Sequence, residues 1–455
     1  MGKINIDKIA DVVKLTLGAK GKNIILPDGY ITKDGVSVAK AFPENSLSDK
    51  IMKQVSLKTL DDVGDGTTSS TVLAQSIYNH FKNKNFQRIS SQLDVEINLI
   101  NKHIKELSKP IKTKANLYDI ASISSNGDKE ISKNVSEVCH KIGKDGSVTF
   151  EISDSNKSHY VIDSGYSIGD GVVSPDMLKF KSEVFENPYI LVCKDELAGI
   201  NQILKITEEI ALKQKHPLII VCDKVDTDVI STFIINRQQK NAKIAIVSTT
   251  DVDNKFENIA MLTNAFVIDG NQGKSSYDIN KDWLGQCKKV ILEKDKTVFV
   301  HDKTIENKPS EVKKKDWDKL ISKVATFYVG APSRLEVTEK LDRYDDALRS
   351  TMSSFEEGYC QGGGVVFLRV SKEVKLLRKP LKSLFIQMCK NAGYSKLKTE
   401  YLIFRLLRNN SVYDFRAEKF TDDGIYDSTK VLRITLESAT GISKLLLNTA
   451  YVMEK

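Results

Sequence analysis

The chain has 455 residues, enough for about three domains at roughly 150 residues each. Lys and Arg number 68 against 60 Asp and Glu, and a net charge of +8 over that length is too dilute for neutralising a phosphate backbone, so no nucleic-acid partner is expected. Hydrophobic residues at 40%, charged residues at 28%, and only 9 Pro and 25 Gly describe a globular protein and exclude a collagen-like or linker-dominated one.

In chain order, Ile6, Ile9 and Val13 recur at helix spacing until Gly18 offers a stop, which predicts a short opening helix. Asn23 to Leu26 and Tyr30 to Thr32 read as a hairpin around Pro27-Asp28-Gly29, where proline fixes one torsion and glycine supplies a positive φ. From about Asp49 to Lys109 the pattern is helical, with Leu73, Ile77 and Phe81 on one stripe, and Pro110 ends it. Ser147 to Ile152 and Tyr160 to Ile162 read as strands flanking a polar SDSNKS turn, and Gly165, Gly169 and Gly171 mark a boundary. Roughly 165 to 323 alternates strands (Ile190 to Val192, Leu218 to Val221, Ile244 to Val247, Phe266 to Ile268, Val290 to Leu292) with helices, an α/β pattern. After Val324 the chain reads as helical again, through the QGGG break at Gln361 to Gly364.

The six cysteines form no CxxC pair and the six histidines show no ligand spacing, so neither a zinc site nor a disulfide framework nor histidine catalysis is expected. The first residues carry no apolar core of signal-peptide type, and runs such as Leu218 to Cys222 suit a buried strand, so the expected setting is cytoplasmic, with no membrane contact.

The sharpest chemical signal is GDGTTSSTVLAQSI, Gly64 to Ile77. Two glycines bracket one carboxylate and lead through hydroxyl residues into an amphipathic helix. Glycines let backbone N–H groups approach an anion, the helix N-terminus adds donors and dipole, and Asp65 is placed to hold a magnesium ion that accompanies a phosphate. It is not a Walker loop, and a Gly-Asp-Gly turn also serves as an ordinary helix cap. TLGAKGKN (Thr16 to Asn23) and ITKDGVSVA (Ile31 to Ala39) add two more glycine-bearing turns, and the three together point to a nucleotide pocket.

These three segments, in this order and spacing, resemble the nucleotide signature of group I chaperonins, the ring-forming folding machines of bacteria and organelles. The resemblance continues in VGAPSRLEVTEKLDRYDDALRSTMSSFEEGYCQGGGVVFLRV (Val329 to Val370) and GIYDSTKVLRITLESATGISKLLL (Gly424 to Leu447), while the middle of the chain is similar mainly in pattern. It implies a multidomain α/β fold: a mainly helical equatorial domain (1–107 and 358–455), a small α/β intermediate domain (108–164 and 324–357) and an α/β apical domain (165–323). It also implies ATP, Mg2+ and K+ as ligands. Thr16, Leu17, Gly18, Ala19 and Lys33 would line the phosphate and monovalent-cation region, Asp65 would bind magnesium, Gly66, Thr67, Thr68 and Ser69 would cradle phosphates, and Gly363 and Asp427 would contact adenosine. Asp346, with Asp34 beside it, would be the hydrolytic carboxylate. Spacing alone also allows Asp346 to be a helix-surface acid paired with Arg343 or Arg349.

The same resemblance implies a homo-oligomeric ring, unfolded-protein clients and a co-chaperonin lid, bound by an apolar apical surface. On DTDVISTFIIN, Ile230 and Ile234 lie about 100° from the Val229 and Phe233 face and Ile235 lies further round, an arc wider than one core needs. A second helix is expected over Ile200 to Leu212, with Leu204 among its apolar residues. A helix sandwiched between two elements would carry the same pattern. Against the family, the segment before the first helix and the hairpin are short, a Gly-Met tail is missing, KKKDWDKLISK replaces a longer stretch before Val324, and Ser322-Lys323 stands where a hinge glycine pair is expected. A passive holdase or assembly factor that keeps the fold but closes its ring poorly is therefore the alternative. A metabolic kinase has no substrate pocket legible in the sequence.

Overall fold

The computed structural model describes residues 6–44, 46–144, 146–178, 182–270, 279–301 and 323–449. The KKKDWDKLISK stretch up to Ser322, the first residues and the last residues lie outside these. The chain folds as two compact units. One comprises Met1–Lys144, Ile152–Ser158 and Val329–Lys455, and the other Asp145–Glu151 and His159–Tyr328.

The first unit is built on helices. Leu73, Ile77 and Phe81, the stripe of the Thr67–Phe81 helix, are fully buried, each such side chain contributing about 1.5–3 kcal/mol by leaving water. They join Val365, Leu381, Phe385 and Leu436 in one core, so segments from both ends of the chain share a single apolar interior. The helical stretch after Asp49 resolves into three helices, Leu47–Val63, Thr67–Phe81 and Phe86–Leu107. Gly64, with φ +73°, ends the first of them, because the left-handed region it occupies closes a helix C-terminus. Ser46, Thr113, Asp128 and Ser333 each accept a first-turn N–H and start their helices, a cap worth about 1 kcal/mol. The predicted hairpin pairs Ile24 with Thr32 and Ile25 with Ile31.

The second unit holds two sheets. Tyr189–Cys193, Leu218–Cys222 and Ile244–Ser248 run parallel in register, with Val267–Ile268 parallel and Gly285–Gln286 antiparallel on the far side of Tyr189–Cys193. The apolar runs Ile190 to Val192, Leu218 to Val221 and Ile244 to Val247 are strands of this sheet, buried on both faces, whereas Phe266 is 49% exposed and Val290 to Leu292 falls in the second sheet. The other sheet is ordered Ser147–Ile152, Lys323–Val329, His159–Ile168, Thr297–His301, Lys289–Glu293, Ser182–Glu186.

Two local expectations are corrected, and a third position gains its local setting. The chain after residue 322 is a strand, Lys323–Val329, before it becomes the Arg334–Glu357 helix, and this strand inserts between the two that flank the SDSNKS turn. Its register with His159–Ile168 depends on contacts distant in sequence, which periodicity does not see. Gly165 lies in mid-strand, opposite Val300, where a Cβ would stand 2.5 Å from the Val324 side chain. The second expected helix is broken into a 3-10 turn (Ile200–Gln202), one α turn (Leu204–Thr207) and a π turn (Glu208–Lys213), which bury Ile203, Ile206 and Ile210.

On the Thr227–Lys240 helix, Val229 and Phe233 are buried, Ile230 and Ile234 are part-buried against the same core, and Ile235 is 50% exposed. Leu204 is 39% exposed. Among the described residues no helix is long and apolar enough to cross a membrane.

Candidate functional site

A cavity of about 370 Å³ opens in the helical unit, within the range of small-molecule sites. Its lining includes Thr16, Leu17, Gly18, Ala19, Lys33, Asp34, Asp65, Gly66, Thr67, Thr68, Ser69, Asp346, Gly363 and Asp427, so every nucleotide-site residue named from the sequence comes to one place.

Local structure explains how. Gly66 precedes the Thr67–Phe81 helix with φ +80°, and a Cβ there would stand 2.6 Å from Thr435 Oγ1 and 2.9 Å from Val431 Cγ1. Only glycine fits that turn. No side chain caps this helix start, in contrast to those begun by Asp34, Thr113 and Ser333. Its first-turn N–H groups therefore remain for a ligand, with the positive end of the helix dipole behind them. Gly35 lets a second turn close in, because a Cβ on it would overlap Thr68 Oγ1 at 1.9 Å. Thr16 Oγ1 lies 3.4 Å from Thr68 Oγ1, which brings the first turn to the same point. Asp34 accepts from the N–H groups of Val36 and Ser37 at 3.1 and 2.8 Å, fixing its carboxylate.

The carboxylates define the electrostatics. Asp65 Oδ2 accepts from Ser124 Oγ at 2.8 Å and Oδ1 from the Gly66 N–H at 2.5 Å. Burial raises the Asp65 carboxyl above its ordinary value, and the Asp34 charge adds to it, against the lowering effect of those donors. Asp346 is raised further, by burial first and then by Asp34 and Asp65. Burial and Asp65 push Asp427 up to about 7, although the Gly363 N–H favours its charged form. Like charges are thus gathered in a desolvated site that gains from a cation. Among the described residues no three His, Cys, Asp or Glu close around one point.

Asp346 is not the surface acid that its arginine spacing allowed. Arg349 pairs with Asp345 at 2.9 Å, and Arg343 with Asp128 at 3.0 Å and Glu339 at 2.7 Å, leaving Asp346 turned to the cavity. Sequence reasoning missed Ser124, Asn126 and Arg416 in the lining, polar residues on helix ends and turns without a spacing signal. Tyr413, Asp414 and Phe415 also line it. Asp414 spends Oδ1 on its own turn, accepting from Arg416 and Ala417 N–H groups.

The model of the TCP-1/cpn60 chaperonin family matches residues 9–268 and 201–455. The chain belongs to this family. Among solved structures, this chaperonin is similar to the chaperonin gp146 from the bacteriophage EL 2 (Pseudomonas aeruginosa), determined in the presence of ATP-BeFx in two crystal forms. For crystal form II the TM-score is 0.71, and for crystal form I it is 0.66. Both are 17% identical and cover 99% of this chain and 96% of that one, a likeness that establishes the fold.

The charge crowding gives a pH signature. The unfolded chain releases the Asp427 proton near pH 4 and the folded protein near 7, so the folded state binds the extra proton between them and loses stability as pH rises through that window. Asp427→Asn should match the ligand-free wild type near pH 4 and exceed its thermal midpoint by about 2–4 °C above pH 7. A difference that does not change with pH would show that the carboxyl is not strained by its surroundings.

Proposed function

We propose that this protein is an ATP-hydrolysing chaperonin subunit of group I type, cytoplasmic, working in a homo-oligomeric ring on unfolded or misfolded clients. The observation that carries the reading is the convergence of three glycine turns, an uncapped helix start and three mutually repelling carboxylates on one cavity. In this reading residues 1–107 and 358–455 are the equatorial domain, 108–164 and 324–357 the intermediate domain, and 165–323 the apical domain.

Gly66 opens the turn, the N–H groups of Thr67, Thr68 and Ser69 receive the phosphates, and Thr16, Leu17, Gly18, Ala19 and Lys33 line the cavity beside them. Lys33 Nζ reaches the Ala19 carbonyl oxygen at 3.4 Å, and K+ is proposed for the same region of the cavity. Gly363 and Asp427 meet the adenosine. Asp65 holds Mg2+, which when bound neutralises charge on the phosphates and the carboxylates. Asp346 and Asp34 orient the attacking water, since phosphoryl transfer needs positioning and charge neutralisation more than covalent help. An ionised Asp346 is costly in the ligand-free cavity, which ties its activity to ligand occupancy.

The test is phosphate release from MgATP by the purified protein, with native mass spectrometry for the ring and refolding yield of a denatured client. Turnover with improved refolding supports the reading. Client capture with no turnover would instead identify a holdase.

For the client surface, Leu204 and Ile235 are the exposed members of the expected set, whereas Ile230 and Ile234 pack on the core. Leu204→Ser with Ile235→Ser should lower capture of an unfolded client several-fold without changing stability or ATP binding. Ile230→Ser with Ile234→Ser should cost stability, about 1–3 kcal/mol, before it affects capture. Capture unaffected by the first pair would remove this face from the binding surface.

A further inference from the structure

One cationic side chain at the cavity has no role in the reading above. Arg416 lies on the turn joining strands Val412–Asp414 and Lys419–Thr421, and it lines the cavity. The backbone of that turn is pinned by Asp414 Oδ1, which accepts from the Arg416 N–H at 2.7 Å and the Ala417 N–H at 3.1 Å. The guanidinium then reaches across Gly127: a Cβ on that glycine would stand 2.8 Å from Arg416 Cζ and 3.0 Å from Nε. Gly127 has φ +80°, so the absence of a side chain there is required by the backbone as well as by the arginine.

The neighbouring Asn126 presents Oδ1 to Lys33 Nζ at 3.2 Å. Two cations from distant parts of the chain therefore meet at one Asn-Gly turn on the cavity edge. Among the described residues Lys33 is held by two neutral oxygens, those of Ala19 and Asn126. Among the described residues Arg416 forms no ion pair with a carboxylate. Their proximity is felt: burial first, and the Arg416 charge second, bring the Lys33 ammonium down to about 8. Asp34, Asp65 and Asp346 repel one another at the same cavity. Each group of like charges is unfavourable while the cavity lacks a ligand that carries an anion with its own cation.

We infer that Arg416 is a binding residue of this cavity that closes, together with Lys33, on the phosphate chain of the nucleotide. The inference rests on the nucleotide reading and deepens it. A guanidinium offers paired donors to phosphate oxygens, and its anchorage on a fixed turn over a glycine limits the freedom lost on binding.

Isothermal titration calorimetry of the intact protein with ATP, ADP and adenosine in Mg2+ tests it. Arg416→Ala should weaken ATP by about tenfold, ADP by less and adenosine by under about twofold, and Arg416→Lys should restore part of the ATP affinity. Arg416→Gln, which keeps the stem over Gly127, carries the same expectation and decides the case if the alanine variant fails to fold. Unchanged ATP affinity in these variants overturns the inference and leaves the nucleotide reading intact. An equal loss for ATP and adenosine also overturns it, placing the arginine on the base instead. A wild-type protein that binds neither ATP nor ADP overturns both.

Discussion

Asp346→Ala is expected to keep ATP bound within about threefold of the wild-type affinity while hydrolysis falls by at least about a hundredfold, the cost of losing a group that positions the nucleophile. The asymmetry follows from geometry. Asp346 faces Asp34 and Asp65, and its charge disfavours an anionic ligand, so removing it costs binding nothing. The same repulsion predicts that the variant is more stable than wild type in the absence of nucleotide at neutral pH. Single-turnover phosphate release at saturating ATP is the measurement. Release at the wild-type rate would return Asp346 to the helix surface that its sequence neighbourhood first allowed.

Asp65→Asn should act on the other half of the cycle. The amide keeps the Ser124 and Gly66 contacts in shape but loses the charge that a divalent cation requires. Nucleotide affinity in Mg2+ is expected to drop about thirtyfold or more, whereas affinity in EDTA should change by less than about threefold. Titration of ATP with and without magnesium distinguishes the two. A variant whose magnesium dependence equals that of the wild type would move the metal to another ligand and remove the central assignment of the site.

What was legible in the sequence divides along physical lines. Turns whose backbone demands glycine announce themselves, and Gly35, Gly64 and Gly66 do so through a missing Cβ or a positive φ. Buried parallel strands such as Leu218–Cys222 are equally plain, since every residue is apolar. Less visible are features that depend on a distant partner. The seven-residue Lys323–Val329 strand reads from the sequence as part of the helix that follows, because the pairing that makes it a strand is with residues far earlier in the chain. The apolar arc on the Thr227–Lys240 helix overstated exposure, since a neighbouring core covers Ile230 and Ile234 and leaves only Ile235 well exposed. Ser124, Asn126 and Arg416 carried no pattern at all; an arginine on a hairpin turn is a solvated cation until its fold brings it beside Lys33.

The Arg334–Glu357 helix is tied to the Lys129–Ile142 helix and its cap just ahead of Asp346, and is braced internally just after it. Arg343 grips Asp128, Tyr344 Oη accepts from Asn134 Nδ2 at 2.8 Å, and Arg349 clasps Asp345. Its acid is therefore not a swivelling arm that flips in and out by bond rotation. On the proposed reading it is a tooth on a gear, advancing or withdrawing with the Lys129–Ile142 helix to which Asn134 and Asp128 bolt it. On that reading the interval between successive hydrolyses is then set by the free-energy barrier to moving those two helices together, and loosening a bolt such as Asn134 would change the tempo while leaving the chemistry in place.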